Sequence, residues 1–206
     1  MRIVLIGVLG AALLLPASLQ AGEWNQKLSI GDVAPSWENL PATDGKNHSL
    51  KELAGKDIVV LAFTCLSCDY AKDYETRINE LASKHGTPDS KVALVAVCVN
   101  AVPADRLDKL TKRSKEKDYA FSVMYDESQK IAHDYGAINT PEFYVLNKDR
   151  KIVYMGAFDD SPQDAEKVKQ HYVEDAIAAT LKGDHPSVKE TVSVGCQIRW
   201  ARRRRE

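Results

Sequence analysis

The stretch Ile58-Val59-Val60-Leu61-Ala62-Phe63-Thr64-Cys65-Leu66-Ser67-Cys68 constrains the fold of this chain more than any other. An unbroken run of apolar and β-branched residues ends in two cysteines spaced C-x-x-C. The residues that follow return an apolar side chain every three or four positions, at Ala71, Tyr74, Ile78 and Leu81, with charges between. That pattern predicts a buried strand leading directly into an amphipathic helix. The turn puts Cys65 just ahead of the first helical turn, where free N–H groups and the positive end of the helix dipole favour a thiolate over a thiol. Two thiols so placed can close a small disulfide and reopen it. The stretch therefore predicts a reactive dithiol, with Cys65 exposed as the attacking thiol and Cys68 packed into the turn.

The other cysteines, Cys98 and Cys196, stand alone in sequence, so four cysteines do not make a dense disulfide framework. A four-cysteine zinc site usually shows two close pairs, and only one is present; no metal and no cofactor are expected. Arg2, the apolar run Ile3 to Leu15 and the small-residue exit Pro16 to Ala21 read as a secretory signal peptide over residues 1–21. The apolar run is shorter than the roughly 20 residues that span a bilayer. An exported protein, periplasmic or extracellular, with no stable membrane insertion after cleavage is expected. The net charge of −1 gives no signature of a nucleic-acid binder, and Arg202 to Arg205 read as a solvated end. What remains is the size of one domain, residues 22–183, followed by a tail, 184–206.

Along the chain, Asp44-Gly45-Lys46 predicts a tight turn between two short strands, and Ser49 with Glu52 a capping box. Lys91 to Val99 is a nearly continuous apolar run, the mark of a strand covered on both faces, and it contains Cys98, read as a buried inert thiol. A helix is expected from Ala104 to about Lys117 and another, capped by Ser128, from Gln129 to Tyr135. Pro141 precedes a strand, Asn147 to Arg150 turn that strand into Lys151 to Met155, and Ser161-Pro162 open a last helix that Gly183 closes. Strands alternating with helices on short connections predict a three-layer α/β domain, a central mixed sheet flanked by helices. In the tail only the short run Thr191 to Ile198 suggests an element.

This order of elements, joined to C-x-x-C and a strand-opening Thr140-Pro141, resembles the thioredoxin fold from about Gly31 to Gly183, with the N-terminal hairpin as an extension. The runs Thr140 to Phe143, Gly156 to Asp160 and Gly195 to Trp200 resemble an exported redoxin subgroup, related to the alkyl hydroperoxide reductase and thiol-specific antioxidant proteins. The resemblance implies a thiol-disulfide oxidoreductase whose Cys65 and Cys68 exchange with protein or small-thiol substrates and with an upstream electron donor or acceptor. It also implies a cis bond at Thr140-Pro141, beside the cysteines, where backbone is offered to an extended substrate. The chain departs from the family pattern in several respects: Thr64 stands where many thioredoxins place Trp, Leu66-Ser67 is neither Gly-Pro nor Pro-His, and Ile58 to Phe63 holds no acid to accept a proton. Asp57, Asp69 and Glu142 are the acids near the motifs in sequence, and Glu142, beside the proline, is the expected proton-transfer group.

Two other activities share such a fold. A peroxidatic P-x-x-x-T/S-x-x-C motif would need Thr or Ser three residues before the cysteine, where Ala62 stands, and copper chaperones of this type resemble C-x-x-x-C instead. Three readings compete for Cys196: an unpaired, partly buried thiol, an auxiliary redox thiol exchanging with Cys65, and a structural bond to Cys98.

Overall fold

The computed structural model describes residues 22–87 and 89–202. The expected signal peptide and Arg203 to Arg205 lie outside them. The Asp44-Gly45 turn joins β1 (Leu40–Pro41) to β2 (Asn47–His48) as an antiparallel hairpin. There follow β3 (Ile58–Phe63), α1 (Asp69–Asp73), α2 (Glu75–His85), β4 (Val92–Cys98), α3 (Leu107–Glu116), β5 (Val123–Tyr125) and α4 (Lys130–Tyr135). The chain continues through β6 (Asn139–Thr140), β7 (Glu142–Leu146), β8 (Ile152–Gly156), α5 (Tyr172–Leu181) and β9 (Cys196–Gln197). The central sheet has the order β5-β4-β3-β7-β8. Strands β5, β4 and β3 run parallel, and β7 and β8 complete the sheet antiparallel.

The unbroken apolar run of β3 finds its reason here. Successive side chains of a strand point to opposite faces. Ile58, Val60 and Ala62 pack on one side with Ile78 and Leu81 of α2, Leu110 of α3 and Val173 and Ile177 of α5. Val59, Leu61 and Phe63 pack on the other with Trp37, Leu50, and Ile131 and Tyr135 of α4. Both faces are covered, so all six residues of β3 are fully buried. This is the expected three-layer α/β domain with its N-terminal hairpin. Among the described residues no helix is long and apolar enough to cross a membrane.

Several helix boundaries differ from the periodicity. The predicted capping box does not form: Ser49 Oγ accepts from the Asn39 N–H at 2.9 Å, and the Glu52 carboxylate meets His48 at 3.0 Å, leaving one 3-10 turn, Leu50–Leu53. The helix expected from Ala104 is broken into a 3-10 turn, Pro103–Asp105, and α3, with Arg106 extended between them, because the Asp105 side chain is committed elsewhere. Gln129, in left-handed backbone at φ 62°, stands before α4 in place of Ser128. The last helix begins only at Tyr172. Upstream, the Asp160 carboxylate ties the Lys169 and Gln170 N–H groups into a loop at 2.8 and 3.1 Å.

The tail is docked along much of its length. Glu190 bridges Met155 on β8, β9 pairs with β6, and Ile198 is buried in the second face's core. Trp200 stacks on His133 with ring centroids 4.2 Å apart.

Candidate active site

The parallel pairing of β3 and β4 brings two loops to one edge of the sheet, the C-x-x-C turn after β3 and the segment after β4. Loops at the carboxyl ends of parallel strands are where open α/β sheets build their sites. Asp105 arrives in the second loop, wholly buried. Its Oδ1 accepts from the Leu66 and Ser67 N–H groups at 2.8 and 2.9 Å, and its Oδ2 accepts from Ser67 Oγ at 2.5 Å and Asn100 Nδ2 at 2.8 Å. The residues between the cysteines are thus held by one carboxylate. Ser67 Oγ also lies 3.8 Å from Cys65 Sγ, which links the acid to the thiol through a single hydroxyl.

The third contributor is the proline edge. The Thr140-Pro141 bond is cis, and Thr140 is fully buried. Its Oγ1 lies 3.2 Å from Cys65 Sγ, and its carbonyl accepts from Cys68 Sγ at 2.9 Å. The two motifs read from the sequence therefore meet, as expected.

Cys65 does not match the expected exposure. It is 4% exposed and Cys68 is 0% exposed, and all four cysteines are free. Nor does the charge fall where the helix-dipole argument put it. The hydrogen bond to Cys68 and burial push the Cys65 thiol up, and the Asp105 carboxylate adds to this. Cys68 is the residue that caps α1, and the same hydrogen bond, received from Cys65, pulls it down to about 5 against burial, with help from Cys196 and the Ala71 N–H. The close Thr140 carbonyl opposes this, since at 2.9 Å it calls for a proton on Cys68 sulfur. The two sulfurs, joined by their mutual hydrogen bond, therefore titrate as a pair and not as two separate thiols.

Glu142, the expected proton-transfer group, is engaged elsewhere. Oε2 accepts from the Ile138 and Asn139 N–H groups and from Ser193 Oγ, each at 3.1 Å, and Oε1 from Tyr144 Oη at 2.7 Å. None of these partners is a cysteine. Burial pushes its pKa up against those four bonds. Cys98 is fully buried, pushed up to about 12 by desolvation, and its thiol reaches the Asp105 carbonyl at 3.6 Å. Cys196 lies against Cys68, its N–H 3.4 Å from Cys68 Sγ.

Asp105 is the residue that pattern reading missed. The available signal was topological: an acid in the loop after the strand that neighbours β3 must come to the edge that carries C-x-x-C. The hollow beside Cys65, lined by Leu66, Leu110, Tyr119 and Phe121 among others, holds about 20 Å³. That is room for about one water. Beside that hollow the site presents an edge of backbone and sulfur.

Residues 30–155 match the AhpC/TSA family. Over 133 residues the chain is 30% identical to the thiol-disulfide oxidoreductase ResA of Bacillus thuringiensis, covering 62% of this chain and 69% of that protein. Among solved structures, a conserved protein of Geobacillus kaustophilus is 31% identical with a TM-score of 0.78, covering 86% of this chain and 95% of that one. A hypothetical protein of Sinorhizobium meliloti is 28% identical with a TM-score of 0.78, covering 86% of this chain and 97% of that one. The pneumococcal lipoprotein thioredoxin Etrx1, 22% identical with a TM-score of 0.55 over 72% of this chain and 99% of that one, shares the fold. With its cysteine pair, its Thr140-Pro141 edge and this match over the greater part of its length, the chain belongs to the AhpC/TSA family.

Proposed function

We propose that this chain is a thiol-disulfide oxidoreductase whose Cys65 and Cys68 exchange with disulfides or dithiols of protein substrates, and that an upstream electron donor or acceptor resets the pair. The observation that carries the reading is the meeting of two mutually hydrogen-bonded thiols with the Thr140-Pro141 backbone at one sheet edge. Ala62, where a peroxidase would need Thr or Ser, is a fully buried strand residue that faces the core. The pattern of residues 1–21 supports export, to the periplasm or the exterior.

In the reducing direction Cys65 is the sulfur that meets the substrate, being the less buried of the two. Its proton passes through Ser67 to Asp105. Cys65 sulfur attacks a substrate disulfide, forming a mixed disulfide and releasing one substrate thiolate. Cys68 then attacks Cys65 sulfur, the mixed disulfide breaks, and the second substrate sulfur leaves with the Cys68 proton. One substrate disulfide has been reduced and one Cys65–Cys68 disulfide formed. Asp105 keeps the turn in place and Thr140 orients both sulfurs.

The test is reduction of a disulfide-bonded reporter protein by dithiothreitol, with and without the chain. Acceleration that disappears in the Cys65→Ser, Cys68→Ser double variant is expected. A rate equal to that of dithiothreitol alone contradicts the proposal.

A further inference from the structure

The substrate edge is already paired with a strand of this same chain. β9 runs antiparallel to β6, with Cys196 opposite Thr140 and Gln197 opposite Asn139. The approach is closer than most residues permit. A Cβ on Gly195 would stand 2.2 Å from the Thr140 carbonyl oxygen and 3.0 Å from the Pro141 nitrogen, well inside contact distance. Only glycine lets the strand lie flat on the proline edge.

Anchors hold the strand on both sides of Cys196. Upstream, Asn139 Nδ2 donates to the Ser193 carbonyl and hydroxyl, both at 3.0 Å, and Ser193 Oγ donates to Glu142. Downstream, the Ile198 N–H donates to the Ile138 carbonyl at 2.9 Å, the Arg199 N–H to Asn100 Oδ1 at 2.8 Å and the Ala201 N–H to Gln129 Oε1 at 2.7 Å. Between these anchors the Cys196 N–H points at Cys68 Sγ, and the Thr140 hydroxyl donates to the Cys196 carbonyl at 3.4 Å. Cys196 is thereby held next to Cys68, the sulfur that a disulfide with Cys65 would make electrophilic.

We propose that Cys196 is a third exchanging thiol, which takes Cys68 from Cys65 and so fastens the C-terminal strand over the substrate edge. The proposal rests on the dithiol chemistry described above. The step begins from the Cys65–Cys68 disulfide. Cys196 loses its proton and its sulfur attacks Cys68 sulfur; the Cys65–Cys68 bond breaks, the Cys68–Cys196 bond forms, and Cys65 leaves as a thiolate that recovers the proton. One disulfide replaces another with no net oxidation. Burial and the neighbouring Cys68 sulfur hold the Cys196 thiol up in the reduced chain, and the Cys68 contribution is absent once Cys68 is in a disulfide. Attack by Cys65 on Cys68 reverses the step and frees the strand.

The experiment equilibrates the full chain in reduced and oxidised glutathione mixtures, quenches with acid, alkylates free thiols and identifies linked peptides by mass spectrometry. The wild type is expected to show both Cys65–Cys68 and Cys68–Cys196 links, and Cys65→Ser to accumulate Cys68–Cys196. Gly195→Val, shown to be folded by circular dichroism, is expected to keep the Cys65–Cys68 link and to lower the Cys68–Cys196 fraction at least about tenfold, because strand docking sets the effective concentration of Cys196. If the wild type forms the Cys65–Cys68 link while its Cys196 stays alkylated at every poise, and Cys196 stays alkylated in Cys65→Ser as well, the third-thiol role is overturned. A Cys68–Cys196 fraction untouched by Gly195→Val overturns the docking argument. Failure of the Cys65–Cys68 link itself removes the dithiol reading, and this inference with it.

Discussion

Two buried carboxylates flank the redox pair, and they do different work. Asp105 gathers the two N–H groups and the hydroxyl between the cysteines, whereas Glu142 gathers the N–H groups before the cis-proline and the hydroxyl of Ser193 in the tail. One fixes the reacting turn and the other fixes the edge and the strand that covers it. Closeness in sequence to a motif made Glu142 the expected proton carrier. Closeness in space to a thiol, through Ser67, favours Asp105 for that part in the mechanism we propose. Both carboxylates accept four hydrogen bonds, but one partner of Asp105, the Ser67 hydroxyl, also reaches a cysteine sulfur, and none of the bonds of Glu142 leads to one.

The comparison breaks most visibly at Asp105. Asp105→Ala orphans several buried donors, each costing about 1–3 kcal/mol. Urea denaturation is expected to show a loss of about 4 kcal/mol. Asp105→Asn preserves the shape but loses the charge and one acceptor, and should lower the exchange rate about a hundredfold, the scale of a proton-transfer group. Single-turnover kinetics with an alkyl disulfide, followed across pH, measures this. An equal loss in Glu142→Gln would erase the distinction between the two acids.

Glu142→Gln should instead act on stability. The folded-state pKa of Glu142 is raised above its ordinary value of 4.5. Its neutral form is the one the fold favours, so its contribution is fully present below that ordinary value and is lost as pH rises through the raised one. The difference in stability between wild type and Glu142→Gln should therefore shrink or reverse in sign as pH increases, with the exchange rate within about threefold of wild type, far short of the effect of a proton-transfer group. Chemical denaturation at a series of pH values reads the trend, and a difference that grows with pH contradicts it.

The smallest effect is expected at Cys98. Its burial and raised pKa make it an inert apolar group. Cys98→Ala should cost about 1–2 kcal/mol for the small cavity it leaves and should not change the exchange rate. A slowed exchange would mean that its contact with the Asp105 carbonyl matters to the position of the acid.

What the sequence disclosed follows from the range over which each signal acts. The β3 run, the C-x-x-C turn and Thr140-Pro141 are local patterns, set by side-chain period and turn chemistry over a few residues, and they stand in the structure where they were expected. The contact from Ser67 to Asp105 spans 38 residues and that from Cys68 to Cys196 spans 128. Neither leaves any periodic trace. The burial of Cys65 belongs to the same class, since Asp105, Thr140 and the tail all close in on the turn from distant parts of the chain. Helix boundaries failed where a single side chain had a stronger engagement, as Asp105 does ahead of α3 and Asp160 ahead of α5.

The central claim is that Cys65 meets the substrate and Cys68 resolves the resulting bond. Each single cysteine-to-serine variant, incubated with a disulfide-bonded protein, quenched in acid and mapped by peptide mass spectrometry, tests it most directly. The account predicts that Cys68→Ser accumulates a mixed disulfide through Cys65, because the resolving sulfur is gone, while Cys65→Ser accumulates little. A mixed disulfide held by Cys68 in Cys65→Ser, with none on Cys65 in Cys68→Ser, would contradict it.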